Sequence, residues 1–175
     1  MGDIKIISNE TVFKGKLISL RIDRIEEQPG KEIVREIVVS PNAVCVVARP
    51  TPDHVILIRQ YRHATGRELI EIPAGGLKKD EDPKLAAIRE LEEETGYRAS
   101  DVVERGGFWM TPGFTTEFMH VFEATGLTKT QINPDEDEVI EIDIVSNQEA
   151  LKMIDDGRIQ DSKSIASLLK VLCRE

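Results

Sequence analysis

Glu90, Glu93 and Glu94 stand three and four positions apart in the stretch LAAIRELEEETGY, with Arg89 beside them. At ~100° per residue this spacing sets the three carboxylates along one side of a helix, where each like-charged pair costs a few tenths of a kcal/mol. Only Arg89 and Lys84 are near enough in sequence to offset that cost, and a merely solvated acidic face accounts poorly for the pattern. A hard divalent cation reverses its sign. Mg²⁺ takes oxygen ligands and keeps waters or phosphate oxygens in its shell, so two or three carboxylates on one helix make a partial cage. Immediately upstream, PAGG supplies Gly75 and Gly76, which permit backbone conformations closed to other residues, and a carbonyl from that loop would complete the shell.

The helix has clear limits. Asp82 suits an N-cap, Pro83 the first helical position and Gly96 a C-cap. Leu85, Ile88 and Leu91 fall on the side away from the carboxylates and are expected to face a core, while Ala86 and Ala87 flank the acidic side and leave room for a close approach. Before the helix, IKII, LISLRIDRIEE, EIVREIVVS, AVCVVA and VILIRQY read as strands, with hairpin-type connections at QPGKE and RPTPDH. After it come the strands GGFWM, EFMHVFEAT and VIEIDIVS. A capping box from Ser146 to Glu149 then opens a helix through Ile154. A last helix carries Ile165, Leu168, Leu169 and Leu172 at helical spacing, predicted to pack one face on the sheet. The order implies an α/β protein, a mixed sheet covered by helices on its two faces.

A length of 175 residues fits one domain with a sizeable core. The formal net charge of −9 argues against DNA or RNA as the main partner. A small phosphorylated ligand, whose charge a few arginines and divalent cations would meet, is compatible with it. No membrane span and no secretory leader is expected, since Asp3 and Glu10 interrupt the first residues, so the expected compartment is the cytoplasm. Cys45 reads as a small buried residue and Cys173 as an incidental thiol. His54, His63 and His120 are too scattered for a metal cluster.

Taken together, Gly75, Glu81, Arg89, Glu90, Leu91, Glu93, Glu94, Gly96 and Tyr97 follow the pattern G-x5-E-x7-R-E-U-x-E-E-x-G-U, where U is a bulky apolar residue. In this the sequence resembles the Nudix hydrolases, and Tyr97 is the one loose fit. The resemblance implies an α/β/α sandwich, here with an N-terminal antiparallel β extension over residues 1–40 and the hydrolase domain over 41–175. It also implies Mg²⁺, with Mn²⁺ as a substitute, held by Glu90, Glu93, Glu94 and the carbonyl of Ala74, and an ion pair between Glu81 and Arg89 bracing loop against helix. The reaction implied is cleavage of a diphosphate linked to another moiety.

EIPAGG before the pattern and MTPGFTTE after it, with Pro112 fifteen positions beyond Tyr97, look like the branch that hydrolyses ADP-ribose and related nucleoside diphosphate sugars. On that resemblance the base activating water is Glu138, then Glu136, from the acidic loop PDEDE, with Glu93 as the competing base. Arg35, Arg62, Glu71 and Glu117 match substrate-side positions, and an arginine fork grips phosphate oxygens well. Phe13, Phe108, Trp109 and Phe114 would stack on a base or, as the safer reading, pack in the core. Relatives of the branch imply a homodimer in which residues 1–40 help complete the neighbour's site. The rival readings are a nucleotide-sugar sensor without catalysis and a hydrolase of other nucleotide sugars or dinucleoside polyphosphates.

Overall fold

The computed structural model describes residues 4–130 and 140–173, and the chain divides into two compact units: residues 1–42 with 109–118, and residues 43–108 with 119–175. The first unit therefore takes in a segment, 109–118, that the sequence reading assigns to the main domain.

In the first unit, β1 (Lys5–Lys14), β2 (Ser19–Gln28) and β3 (Lys31–Val39) form an antiparallel sheet in the order β1-β2-β3. The turn between β2 and β3 is closed by Gly30 at φ 78°, whose N–H donates to Glu26 Oε1 at 2.7 Å. Segment 109–118 is tied to the end of β3: Val38 N–H donates to the Phe114 carbonyl at 2.8 Å and Thr116 N–H to the Val38 carbonyl at 3.1 Å. The aromatic residues correct the expectation of core packing. Trp109 is 56% exposed, Phe114 52% and Phe13 56%. Among the described residues this unit contains no helix, so its sheet has no covering layer of its own to bury them.

The second unit holds β4 (Ala43–Ala48), β5 (His54–Arg62), β6 (Arg67–Glu71), β7 (Ala74–Gly76), α1 (Pro83–Thr95), β8 (Tyr97–Trp109) and β9 (Phe118–Lys129) except for their residues Trp109 and Phe118, β10 (Ile140–Ser146), α2 (Asn147–Asp155) and α3 (Ser162–Leu172). Its strands make a mixed sheet, β7-β4-β9-β8, and an antiparallel one, β10-β5-β6. RPTPDH is thus not a hairpin: it carries the chain from one sheet to the other. Both edges of β4 are occupied, by β7 antiparallel and β9 parallel, so β5 must pair elsewhere.

Every residue of β4 is buried, as a continuous apolar strand covered on both faces requires. Val44, Val46 and Ala48 share a core with Ala86, Ala87 and Leu91 of α1 and with Val102, Phe122 and Ala124. Alternate residues point the other way, and there Cys45 Sγ meets Ser167 Oγ of α3 at 3.2 Å. Two helices thereby sandwich β4. The buried face of α3 is Lys163, Ser164, Ser167, Leu168 and Val171, whereas Leu169 is 42% exposed. The predicted apolar stripe is rotated because small serines allow α3 to approach the strands and to hydrogen-bond them, as in Ile72 N–H to Ser164 Oγ at 2.9 Å.

Candidate active site

The caps of α1 are those the sequence implies. Asp82 Oδ1 accepts from Lys84 N–H at 2.9 Å and Leu85 N–H at 3.2 Å, and Gly96 ends the helix at φ 65°. Its inward face differs from the expected one. Ala86, Ala87, Leu91, Glu94 and Thr95 are buried while Leu85 is 63% exposed. The alanines line the core instead of opening the acidic flank, because α1 packs closely on β4 and only small side chains fit that gap.

Arg89 is the centre of the acidic flank. Its Nε and Nη2 donate to the two oxygens of Glu81 at 2.9 and 3.0 Å, its Nη1 to Glu90 Oε1 at 2.7 Å and Glu93 Oε2 at 2.9 Å, and Nη2 also reaches the Gly76 carbonyl at 3.3 Å. The brace expected between Glu81 and Arg89 is therefore present. Those bonds hold the Glu81 carboxyl down at about 2 and push the Arg89 guanidinium up, against some burial. Glu94, 3% exposed, points inward, where its Oε2 accepts from Ala74 N–H at 2.9 Å.

Ala74, Gly75 and Gly76 are a strand, β7, set antiparallel to β4, where the sequence reading has a loop. Gly75 does not occupy the left-handed region, so its role is spatial: a Cβ there would overlap the carboxylate of Glu90. The bare backbone is a cradle for that carboxylate.

Among the described residues, no three His, Cys, Asp or Glu side chains converge as a preformed metal site. Arg89 draws Glu90 and Glu93 to itself while Glu94 turns to the Ala74 amide. In kind, however, the residues fit a hard cation. The donors are all carboxylate oxygens, and one is seated in a cradle only glycine allows.

Arg62 and Glu71 lie together on β5 and β6. Arg62 Nε and Nη2 grip Glu71 Oε1 and Oε2 at 2.9 and 2.7 Å, and Lys163 of α3 bonds Glu71 Oε2 as well. Burial pushes the Glu71 carboxyl up, and the bonds from Arg62 and Lys163 outweigh it, so it stays below its ordinary value. Arg62 is held charged chiefly by those bonds, with the negative charges of Glu71, Glu94 and Asp161 adding to them. Glu71, at 1% exposure, is sequestered behind Arg62 and not presented at a surface. Arg35 and Glu117 belong to the first unit. Arg35 Nη2 lies 3.8 Å from Glu27 Oε1, and the Glu117 carbonyl accepts from Met110 N–H at 3.1 Å. Glu136 and Glu138 lie outside the described residues.

Two charged clusters escape the sequence reading. Lys163, 7% exposed, also bonds Asp161 Oδ2 at 2.9 Å, and its signal was a lysine on the buried face of an amphipathic helix. Glu123, alone among apolar neighbours in β9, accepts from Arg49 Nη1 at 2.7 Å and Arg105 Nη2 at 2.6 Å.

A NUDIX domain model matches residues 39–168. The chain is 38% identical over 173 residues to the ADP-ribose pyrophosphatase of Bacillus subtilis (strain 168), covering 98% of this chain and 94% of that protein. It is 39% identical over 166 residues to the methanol dehydrogenase activator of Bacillus methanolicus, covering 94% and 90%. Over 178 residues it is 34% identical to a GDP-mannose pyrophosphatase of Yersinia enterocolitica, covering 94% and 93%. The crystal structure of an ADP compounds hydrolase superposes with a TM-score of 0.88 at 25% identity, over 98% of this chain and 93% of that one. Hydrolases of this family generally depend on a divalent metal. A family match over most of the length, carried by the Glu81–Arg89 brace and the carboxylates of α1, shows that this chain belongs to the NUDIX family.

Proposed function

We propose that the protein hydrolyses the diphosphate of a nucleoside diphosphate sugar, ADP-ribose first among them, with Mg²⁺ as the working cation and Mn²⁺ as its substitute. The observation that carries this reading is the Glu90 carboxylate seated against Gly75, on the same helix flank as Glu93 and beside buried Glu94. Similarity to an ADP-ribose pyrophosphatase and a GDP-mannose pyrophosphatase supports the substrate class. Glu90, Glu93, Glu94 and the Ala74 carbonyl would hold the cation, which would supply charge to neutralise the diphosphate and to acidify water.

The chain's own groups do the rest. Arg62, fixed by Glu71 and with its side chain 35% exposed, binds phosphate oxygens. Arg35 and Glu117 contact the substrate as well. Water attacks one phosphorus, its proton passes to Glu138, Glu136 or the half-buried Glu93, and the bridging P–O bond breaks. ADP-ribose then yields AMP and ribose 5-phosphate. The protein acts in the cytoplasm. Among the described residues, no helix is long and apolar enough to cross a membrane.

The working form is a homodimer built through residues 1–40. In support, the N-terminal unit leaves Ile6 59%, Phe13 56%, Val34 48% and Leu17 73% exposed, apolar side chains that a second copy would cover. Light scattering at working concentration is expected to give twice 19.6 kDa. A fully active monomer would remove the shared site.

The deciding experiment is a panel of ADP-ribose, GDP-mannose and dinucleoside polyphosphates incubated with Mg²⁺, Mn²⁺ or chelator. Metal-dependent release of equimolar AMP and ribose 5-phosphate is expected. Tight binding of ADP-ribose with no product under any metal would make the protein a sensor.

A further inference from the structure

We propose that Lys163, on the C-terminal helix α3, is a positioning residue that sets how freely Arg62 can offer its guanidinium to the substrate diphosphate; this rests on the reading of Arg62 as a phosphate ligand. The link is a continuous ionic chain within one unit. Asp161, the N-cap of α3, accepts from Ser164 N–H at 2.9 Å, Ser164 Oγ at 2.5 Å and Lys163 Nζ at 2.9 Å. Lys163 Nζ bonds Glu71 Oε2, the same oxygen that accepts from Arg62 Nη2 at 2.7 Å.

Two carboxylates and two cations balance. Lys163 and Glu71 are 7% and 1% exposed, while the Arg62 side chain is 35% and the Asp161 side chain 14% exposed, so the arginine end of the chain is the more open to solvent. Glu71 Oε2 thus divides its charge between a buried ammonium and the guanidinium. Without Lys163, Arg62 becomes, among the described residues, the one cation bonded to buried Glu71, and a phosphate must then compete with that carboxylate for it. The same helix also fixes the strand that leads to the carboxylate site. Ser164 Oγ accepts from Ile72 N–H, two residues before the Ala74 amide that donates to Glu94.

The test is a kinetic cycle on the Mg²⁺-loaded full chain with ADP-ribose. Lys163→Met is expected to raise KM by about 10-fold, the scale of one hydrogen bond to a charged group, with kcat within about 2-fold. Lys163→Arg, which keeps the charge, restores KM. Ser167→Ala weakens the same helix through its Cys45 contact without touching Glu71, and it leaves KM at the wild-type value. In an Arg62→Ala background, Lys163→Met adds no further rise, because it acts through the residue already removed. Should Lys163→Met not fold, Lys163→Gln, neutral but able to donate, carries the same KM test. An unchanged KM in the Lys163 variant, or an additive rise without Arg62, overturns the proposal. An Arg62→Ala enzyme with wild-type KM overturns instead the substrate role of Arg62, and this inference with it.

Discussion

Replacing Gly75 with alanine inserts a methyl group where the Glu90 carboxylate now lies. The backbone at Gly75 is ordinary strand, so alanine introduces no strain, and the lost freedom of the unfolded chain favours folding by ~0.4–1 kcal/mol. The obstruction is the far end of a flexible side chain. Glu90 therefore swings aside and loses its 2.7 Å bond from Arg89, a pair with side chains 19% and 13% exposed that is worth ~1 kcal/mol. The two effects nearly cancel, and the unfolding temperature is expected to move by no more than ~4 °C. Activity does not share that cancellation. Moving one carboxylate out of its cradle lowers kcat/KM by ~10²-fold, or ~2.7 kcal/mol in the transition state. Calorimetry paired with ADP-ribose hydrolysis over a Mg²⁺ titration measures both quantities. Wild-type kcat/KM and metal dependence in a normally stable Gly75→Ala protein would refute the assignment of Glu90. A fall of more than ~10 °C in Tm would show that the backbone yields, contrary to the steric argument.

Glu94→Gln keeps an oxygen that accepts from Ala74 N–H, so the circular dichroism spectrum and Tm should change little while metal-dependent turnover drops by ~10²-fold or more; retained turnover would sink its role as a ligand. Glu81, held at about 2 against an ordinary 4.5, contributes stability that is complete above about pH 4.5 and disappears as pH falls toward about 2. Urea midpoints of wild type and Glu81→Gln should therefore differ most near neutral pH and converge through that window, and a gap that ignores pH would count against the Arg89 brace.

Helix α1 was the most legible part of the sequence because its signals are local. Asp82, Pro83 and Gly96 mark its ends by backbone chemistry that needs no partner, and the capping box at Ser146 works the same way. What stayed hidden depends on tertiary pairing. β7 is three residues with two glycines and no alternation, and it is a strand only because β4 offers it a free edge. The inward face of α1 could not be read from hydrophobicity, since the core selects Ala86 and Ala87 for size and admits Glu94 because an amide meets it. For Arg62 and Glu71 the sequence shows two polar residues, and nothing in their spacing announces that a lysine some ninety positions later completes them. Substrate-side residues in the first unit and the acidic loop of Glu136 and Glu138 remain assignments by resemblance.

The geometry of Arg89 explains how an acidic flank persists before a cation arrives. Glu81, Glu90 and Glu93 are three carboxylates bonded by the one guanidinium of Arg89. The guanidinium divides its work by nitrogen. Nε and Nη2 hold Glu81 and the Gly76 carbonyl, whereas Nη1 alone holds both Glu90 and Glu93. A divalent cation that takes over those two carboxylates has to displace the bonds of a single nitrogen. The bidentate grip on Glu81 and the bond to β7 are untouched by that exchange. On that division, the strand that cradles Glu90 is expected to keep its register on β4 if a metal takes Glu90 from Arg89. A fork-shaped cation is needed for this division, so lysine at position 89, a single point charge, would lose the brace, the hold on the carboxylates or both.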